Sequence, residues 1–235
     1  MAKIVIIGGG FAGLAAVEQL CSMGLRQDLV LIDKKETFDF LPLLPDTLGR
    51  DIPPEALTLP FALIARSRGF SFIPAEVTEV SFPHKQVVLS QKRIPYEYLV
   101  IACGSQTNFY GNENIAESAL TLDNADDARR LQKTLTRGNF DTILIAGAGY
   151  TGIEAATSLR RWSQSRSKRQ KIVIIERAPD ILGPLPVWMK EYVKANLVRL
   201  DISCVPGSTI ERIEGRRVFL SAGKVFEDSL VIWGA

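Results

Sequence analysis

Two stretches of this chain, IVIIGGGFAG at residues 4–13 and ILIAGAGYTG at 143–152, say the same thing: an apolar run, a Gly-x-Gly-x-x-Gly turn, then residues at helical spacing. Continuous apolar runs of this length read as parallel strands buried on both faces, so each stretch opens a strand, turn and helix. Glycines 8, 10 and 13, and again 147, 149 and 152, hold three distinct places. The first permits a tight turn, the second lets a diphosphate approach the backbone, and the third lets helix and strand pack closely. A phosphate over such a turn meets free amide N–H groups and the positive end of the helix dipole.

The remaining pattern supports two such units. In the first, a strand at 3–7, a helix at 12–23 stopped by Gly24 and a strand at 29–32 make a βαβ unit ending in Asp33. In the second, a strand at 142–146, a helix at 151–162 and a strand at 171–175 end in Glu176. An acid there can accept hydrogen bonds from the hydroxyls of an adenosine ribose, and it repels a 2′-phosphate. Between the two units, 38–61 is too rich in proline for long helices and reads as a lining loop with short helical turns. Alternation predicts antiparallel strands over 70–89, a buried strand follows at 98–104, and the Ser, Gln, Asn and Gly of 104–114 predict a crossover. Further helices are expected at about 123–135 and 187–200, with short strands after them. The fold class is therefore α/β, with two Rossmann-like dinucleotide-binding domains at 1–112 and 113–235. Each is a parallel sheet with a β-rich appendage.

Composition narrows the function. A hydrophobic fraction of 46% with 23% charged residues suits a globular core. A formal net charge of +2 is too small for a phosphate-tracking surface, so no nucleic-acid partner is expected. No apolar run reaches the roughly 18 to 20 residues of a bilayer span. With the best motif starting almost at Met1, a signal peptide is not expected and the cytoplasm is. Three scattered cysteines, Cys21, Cys103 and Cys204, suit reduced thiols, with Cys103 expected in the core. His84 has no second metal-ligating residue beside it, so no metal is expected. The basic run at 160–171 reads as a solvated helix end and loop, and Trp233 as core.

With two complete fingerprints and their acids, the chain resembles the pyridine nucleotide–disulfide oxidoreductase superfamily of two-dinucleotide flavoproteins. Its wording is most similar to the type II NADH dehydrogenases. GAGYTGIEAA resembles their nicotinamide-site signature, FDFLPLLPDTLG their Pro-Leu-Leu loop near the flavin, and PYEYLVIACGS their strand ending in Ala-Thr-Gly-Ser, with Cys103 in place of threonine. Residues 34–61 lack the Cys-x-x-x-x-Cys pair of the disulfide reductases.

The resemblance implies FAD at the first site, NADH at the second, and hydride passing through the flavin to a quinone. It places FAD against Gly8, Gly10, Phe11, Ala12, Gly13, Asp33, Lys34, Pro42, Leu43, Val77, Ala102 and Gly104. It places NADH against Gly147, Gly149, Tyr150, Thr151, Gly152, Glu176, Arg177 and Gly234. Glu154 is the catalytic candidate, near the nicotinamide carboxamide, with dipole-complementing first-turn acid as its other reading. Arg177 beside Glu176 could approach a 2′-phosphate, yet the acid predicts NADH preference. The chain stops at Ala235, where relatives continue into a second flavin motif, so a truncated chain with an incomplete FAD domain is expected. A homodimer, and membrane contact through the C-terminal region that the family carries, are also implied. Two alternatives remain open: a sulfide:quinone oxidoreductase-like flavoprotein, and a non-catalytic dinucleotide sensor.

Overall fold

A computed structural model of the protein describes residues 4–90, 92–168, 170–221 and 223–234. Lys3, expected to open the first strand, and Arg169 of the basic run lie outside the described residues. The chain divides into two compact units, Met1–Asp39 with Thr58–Gln106, and Phe40–Leu57 with Thr107–Ala235.

In chain order the first unit holds β1 (Ile4–Ile7), α1 (Phe11–Ser22), β2 (Leu29–Asp33) and β3 (Thr37–Asp39). The second unit's α2 (Leu44–Gly49) follows, and then the first resumes with β4 (Thr58–Pro60), α3 (Phe61–Arg68) and β5 (Ser71–Pro74). It ends with β6 (Val77–Ser81), β7 (Gln86–Leu89), β8 (Arg93–Pro95) and β9 (Tyr98–Ile101). Its main sheet runs β5-β2-β1-β9, parallel throughout. Side chains alternate between its faces as the pleat requires. Ile4, Ile6, Leu29 and Leu31 pack against α1 and α3, while Val5, Ile7, Val30 and Ile32 pack against the antiparallel β6-β7-β8 appendage. The expectation of antiparallel strands across 70–89 needs correcting at 71–74: β5 pairs in parallel with β2, because its register carries Phe72 and Ile73 into the main sheet.

The second unit continues with α4 (Glu113–Ser118), β10 (Leu120–Thr121), α5 (Ala125–Arg137), β11 (Thr142–Ala146), α6 (Tyr150–Ser165) and β12 (Lys171–Glu176). After α7 (Val187–Arg199) come β13 (Ile202–Pro206), β14 (Ile210–Glu214), β15 (Arg217–Leu220), β16 (Val225–Phe226) and β17 (Ser229–Trp233). The parallel sheet β10-β17-β11-β12-β13 buries Ile143, Ile145, Ile172 and Ile174 under the helices and Leu144, Val173, Val231 and Trp233 under β14-β15-β16. Trp233 is core as expected, stacked on Phe109 with ring centroids 5.7 Å apart.

The units do not meet at a single cut near residue 112. The 40–57 segment folds with the second unit because Leu44, Leu48 and Leu57 sink into its helical core, and Gly49 lies so close to α6 that a Cβ would stand 2.6 Å from the Ser158 carbonyl oxygen. Its short helical turns are as expected. The 160–171 run is not wholly solvated: Arg160 is buried, donating from Nη1 to the Gln170 carbonyl at 3.2 Å and from Nη2 to the Asp201 carbonyl. Trp162 is buried beneath the Lys168 ammonium, 4.8 Å from its ring centroid. Among the described residues no helix is long and apolar enough to cross a membrane.

Candidate dinucleotide clefts

The two glycine turns have the same build. Gly8 and Gly147 follow their strands with φ of 98° and 99°, a left-handed conformation that suits glycine. Their amides donate to Ile32 and Ile175 carbonyls, each at 2.8 Å. A Cβ on Gly8 would stand 2.3 Å from the Ala102 carbonyl oxygen. A Cβ on Gly13 would stand 1.8 Å from the Gly8 carbonyl oxygen, and on Gly152 2.0 Å from that of Gly147. Around Gly10 and Gly149, by contrast, a Cβ would meet nothing within 4 Å. The second glycine of each motif thus faces open space directly above the start of a helix.

Those helix starts are also bare. α4 and α5 have asparagine caps, Asn112 accepting from the Ile115 amide and Asn124 from the Asp127 amide. α1 and α6, whose N-caps are Gly10 and Gly149, have neither a capping side chain nor an acid in the first turn. Their first amides and positive dipole ends are left for an incoming anion. A group that approaches the backbone with phosphate oxygens fits both cradles.

Each acid is locked to its cradle. Asp33 accepts from the Gly9 amide at 2.6 Å and the Lys35 amide at 2.8 Å. Glu176 accepts from Ala148 at 2.6 Å and Ala178 at 2.7 Å. Each carboxylate oxygen keeps a lone pair for a ribose hydroxyl. The middle residues differ for a packing reason: a Cβ on Gly9 would lie 2.3 Å from the buried Phe61 ring, so alanine is admitted only in the second copy.

The second cradle opens into a cleft of about 470 Å³ lined by Gly147, Gly149, Glu176, Arg177 and Gly234 among the expected residues. Phe109, Tyr110, Asn112, Ser208, Thr209, Ile210 and Trp233 line it too, and sequence reasoning had not assigned them there. The crossover's asparagines held the available signal, since Asn112 caps α4 and also donates to the Glu211 carbonyl at 2.8 Å. Tyr150, Thr151 and Gly152 form the first turn of α6, and Glu154 is exposed one turn on, which corrects its reading as a first-turn acid complementing the dipole.

In the first unit, Phe11 and Ala12 open α1 as exposed residues, with the Phe11 ring set edge-on to Phe38 at 5.1 Å. Lys34 is exposed, Val77 packs under the sheet, and Ala102 and Gly104 follow β9. Pro42 and Leu43, expected beside the flavin with these residues, are exposed in a turn that folds with the second unit. Cys103 corrects another expectation: it is exposed rather than core, because β9 ends at Ile101 and the chain has already left the sheet. Burial pushes the half-buried Cys204 thiol up to about 11, with the Glu176 and Asp180 charges adding to the effect. Among the described residues no cluster of three His, Cys, Asp or Glu side chains could hold a metal ion.

Comparison with known proteins sets this geometry in context. A family profile described as pyridine nucleotide-disulphide oxidoreductase matches residues 2–235. Demethylphylloquinone reductase NdbB of Synechocystis sp. is 29% identical over 98% of this chain and 61% of its own length. Type II NADH:quinone oxidoreductase Ndh of Mycobacterium tuberculosis is 24% identical over 99% and 57%. The structure of NDH2 from Plasmodium falciparum in complex with NADH has a TM-score of 0.86 at 19% identity, covering 100% of this chain and 55% of that one. The sulfide:quinone oxidoreductase of Aquifex aeolicus reaches 0.81 at 21%, covering 99% and 58%. At these identities the structural likeness is one of fold. The chain spans about 60% of the length of these curated relatives.

Proposed function

Because the chain belongs to the pyridine nucleotide-disulphide oxidoreductase family, we propose that it is an oxidoreductase of the type II NADH dehydrogenase kind, holding FAD at the first cradle and NADH at the second and reducing a quinone. One observation supports this most: in each motif the second glycine faces open space, over an uncapped helix start with an anchored acid beside it. FAD bound there would accept hydride from NADH and deliver electrons to the quinone.

The chain's own residues bind and orient. Amides at Gly10, Phe11 and Ala12, and at Gly149, Tyr150 and Thr151, receive the two diphosphates, while Asp33 and Glu176 take the adenosine riboses. Lys34 offsets diphosphate charge, and Val77, Ala102 and Gly104 serve the flavin. Gly234 closes the second cleft without a side chain. Glu154 accepts a hydrogen bond from the nicotinamide carboxamide and so holds the ring in register for transfer. Domain-scale roles follow the two units, with peripheral contact at a membrane's cytoplasmic face and a homodimer completing the reading.

The test is NADH loss in the presence of FAD and a short-chain quinone. The reading expects oxidation that needs both additions and is abolished by Gly149→Val. Quinone reduction supported by sulfide but not by NADH would overturn it, as would binding of both dinucleotides without electron transfer. Comparable kcat/KM for NADPH would contradict the assigned preference.

A further inference from the structure

The second cleft contains a feature that the glycine, the acid and the phosphate do not use. The Arg177 guanidinium carbon lies 5.1 Å from the centroid of the Tyr110 ring, and both residues line the cleft next to Glu176. Tyr110 occupies a costly conformation, with φ of 53°, which a bulky residue adopts rarely and keeps only where its surroundings enforce it. Here they do. The Tyr110 amide donates to Asn108 Oδ1 at 2.7 Å, Gly111 continues the left-handed turn at 76°, and Asn112 bolts the segment to the Glu211 carbonyl. The backbone is bent so that an exposed aromatic ring is presented to one cation.

A guanidinium is planar, with two faces. The Tyr110 ring lies beside it, and Arg177 is itself exposed and lines the cleft. The ribose expected at Glu176 is the one that carries adenine, so the base attached to it emerges beside the next residue, Arg177. A cationic plane suits the electron-rich face of adenine and repels the positively charged ring of an oxidised nicotinamide.

We propose that Arg177 is the adenine platform of the second cleft and that Tyr110 is its positioning residue, giving a Tyr110–Arg177–adenine stack. This rests on the reading of that cleft as the NADH site. The stack recognises the base rather than the phosphates, and it is indifferent to the redox state of the far ring.

Titrating the full chain with NADH, ADP-ribose and reduced nicotinamide mononucleotide tests it, with the melting temperature followed in parallel. Arg177→Ala should weaken ADP-ribose about five- to tenfold, and Tyr110→Leu about two- to fivefold. Tyr110→Phe should bind like the native chain, Arg177→Lys should bind like Arg177→Ala, and the mononucleotide should be unaffected throughout. Tyr110→Leu combined with Arg177→Ala should bind no more weakly than Arg177→Ala alone. Native ADP-ribose affinity in Tyr110→Leu, or equal weakening of the mononucleotide, would overturn the stack while leaving the cleft assignment intact. A native chain that binds neither NADH nor ADP-ribose would remove the cleft assignment, and the stack with it.

Discussion

At the scale of single residues, the second and third glycines of one motif are separable by what a side chain would meet. Gly149 has open space and an extended φ of −75° with ψ of −173°, so Gly149→Val should keep stability within about 1 kcal/mol while filling the phosphate position. Gly152→Val places a Cβ 2.0 Å from the Gly147 carbonyl oxygen and should destabilise by about 1–3 kcal/mol or more. Paired melting and NADH titration check the split: binding lost without stability at 149, stability lost at 152. Cys204 gives a pH-dependent counterpart. Its thiol is raised from 9.0 to about 11, first by burial and then by Glu176 and Asp180. The raised folded value means its contribution is full below pH 9 and erodes between pH 9 and 11 as the unfolded chain ionises first. Iodoacetamide labelling followed by peptide mass spectrometry should find Cys204 slow at pH 8 and faster towards pH 11, in contrast to the exposed Cys103.

At the scale of elements, the strands and helices that were legible are those whose own sequence settles their burial. β1, β2, β11, β12 and β17 are continuous apolar runs, and a run buried on both faces can hardly be anything but an interior parallel strand. The two cradles and their acids were equally plain, since their chemistry lies in local spacing. What escaped was decided by distant partners. β5 is short and half-exposed, and only its register against β2 makes it parallel. α3 lies between Pro60 and a left-handed Gly69, a stop signal overlooked beside the proline-rich loop. Tyr110, Ser208 and Thr209 reach the cleft because the crossover and the β13–β14 turn fold over it, which no short window of sequence encodes. The 40–57 segment likewise joined a unit far along the chain through Leu44 and Leu48. That packing is testable. Gly49→Val should pry α2 from α6 and lower stability by about 1–3 kcal/mol, read as a lower urea midpoint, whereas Gly24→Ala, with nothing within 4 Å of its Cβ, should show only the smaller strain of its left-handed φ of 83°.

At the scale of the whole molecule, two units each bury one parallel sheet between helices and a three-stranded antiparallel appendage, and the same glycine turn follows an interior strand of each, β1 and β11. With a near-neutral charge of +2 there is no broad electrostatic field to gather anionic ligands, so under the proposed function their recognition falls to these local turns. The most direct measurement of the central claim is a crossed titration of the native chain, Gly10→Val and Gly149→Val with FAD and with NADH. Loss of FAD alone in Gly10→Val and of NADH alone in Gly149→Val is the predicted result. Either variant losing both ligands, or neither, would contradict a protein built around two separate dinucleotide sites.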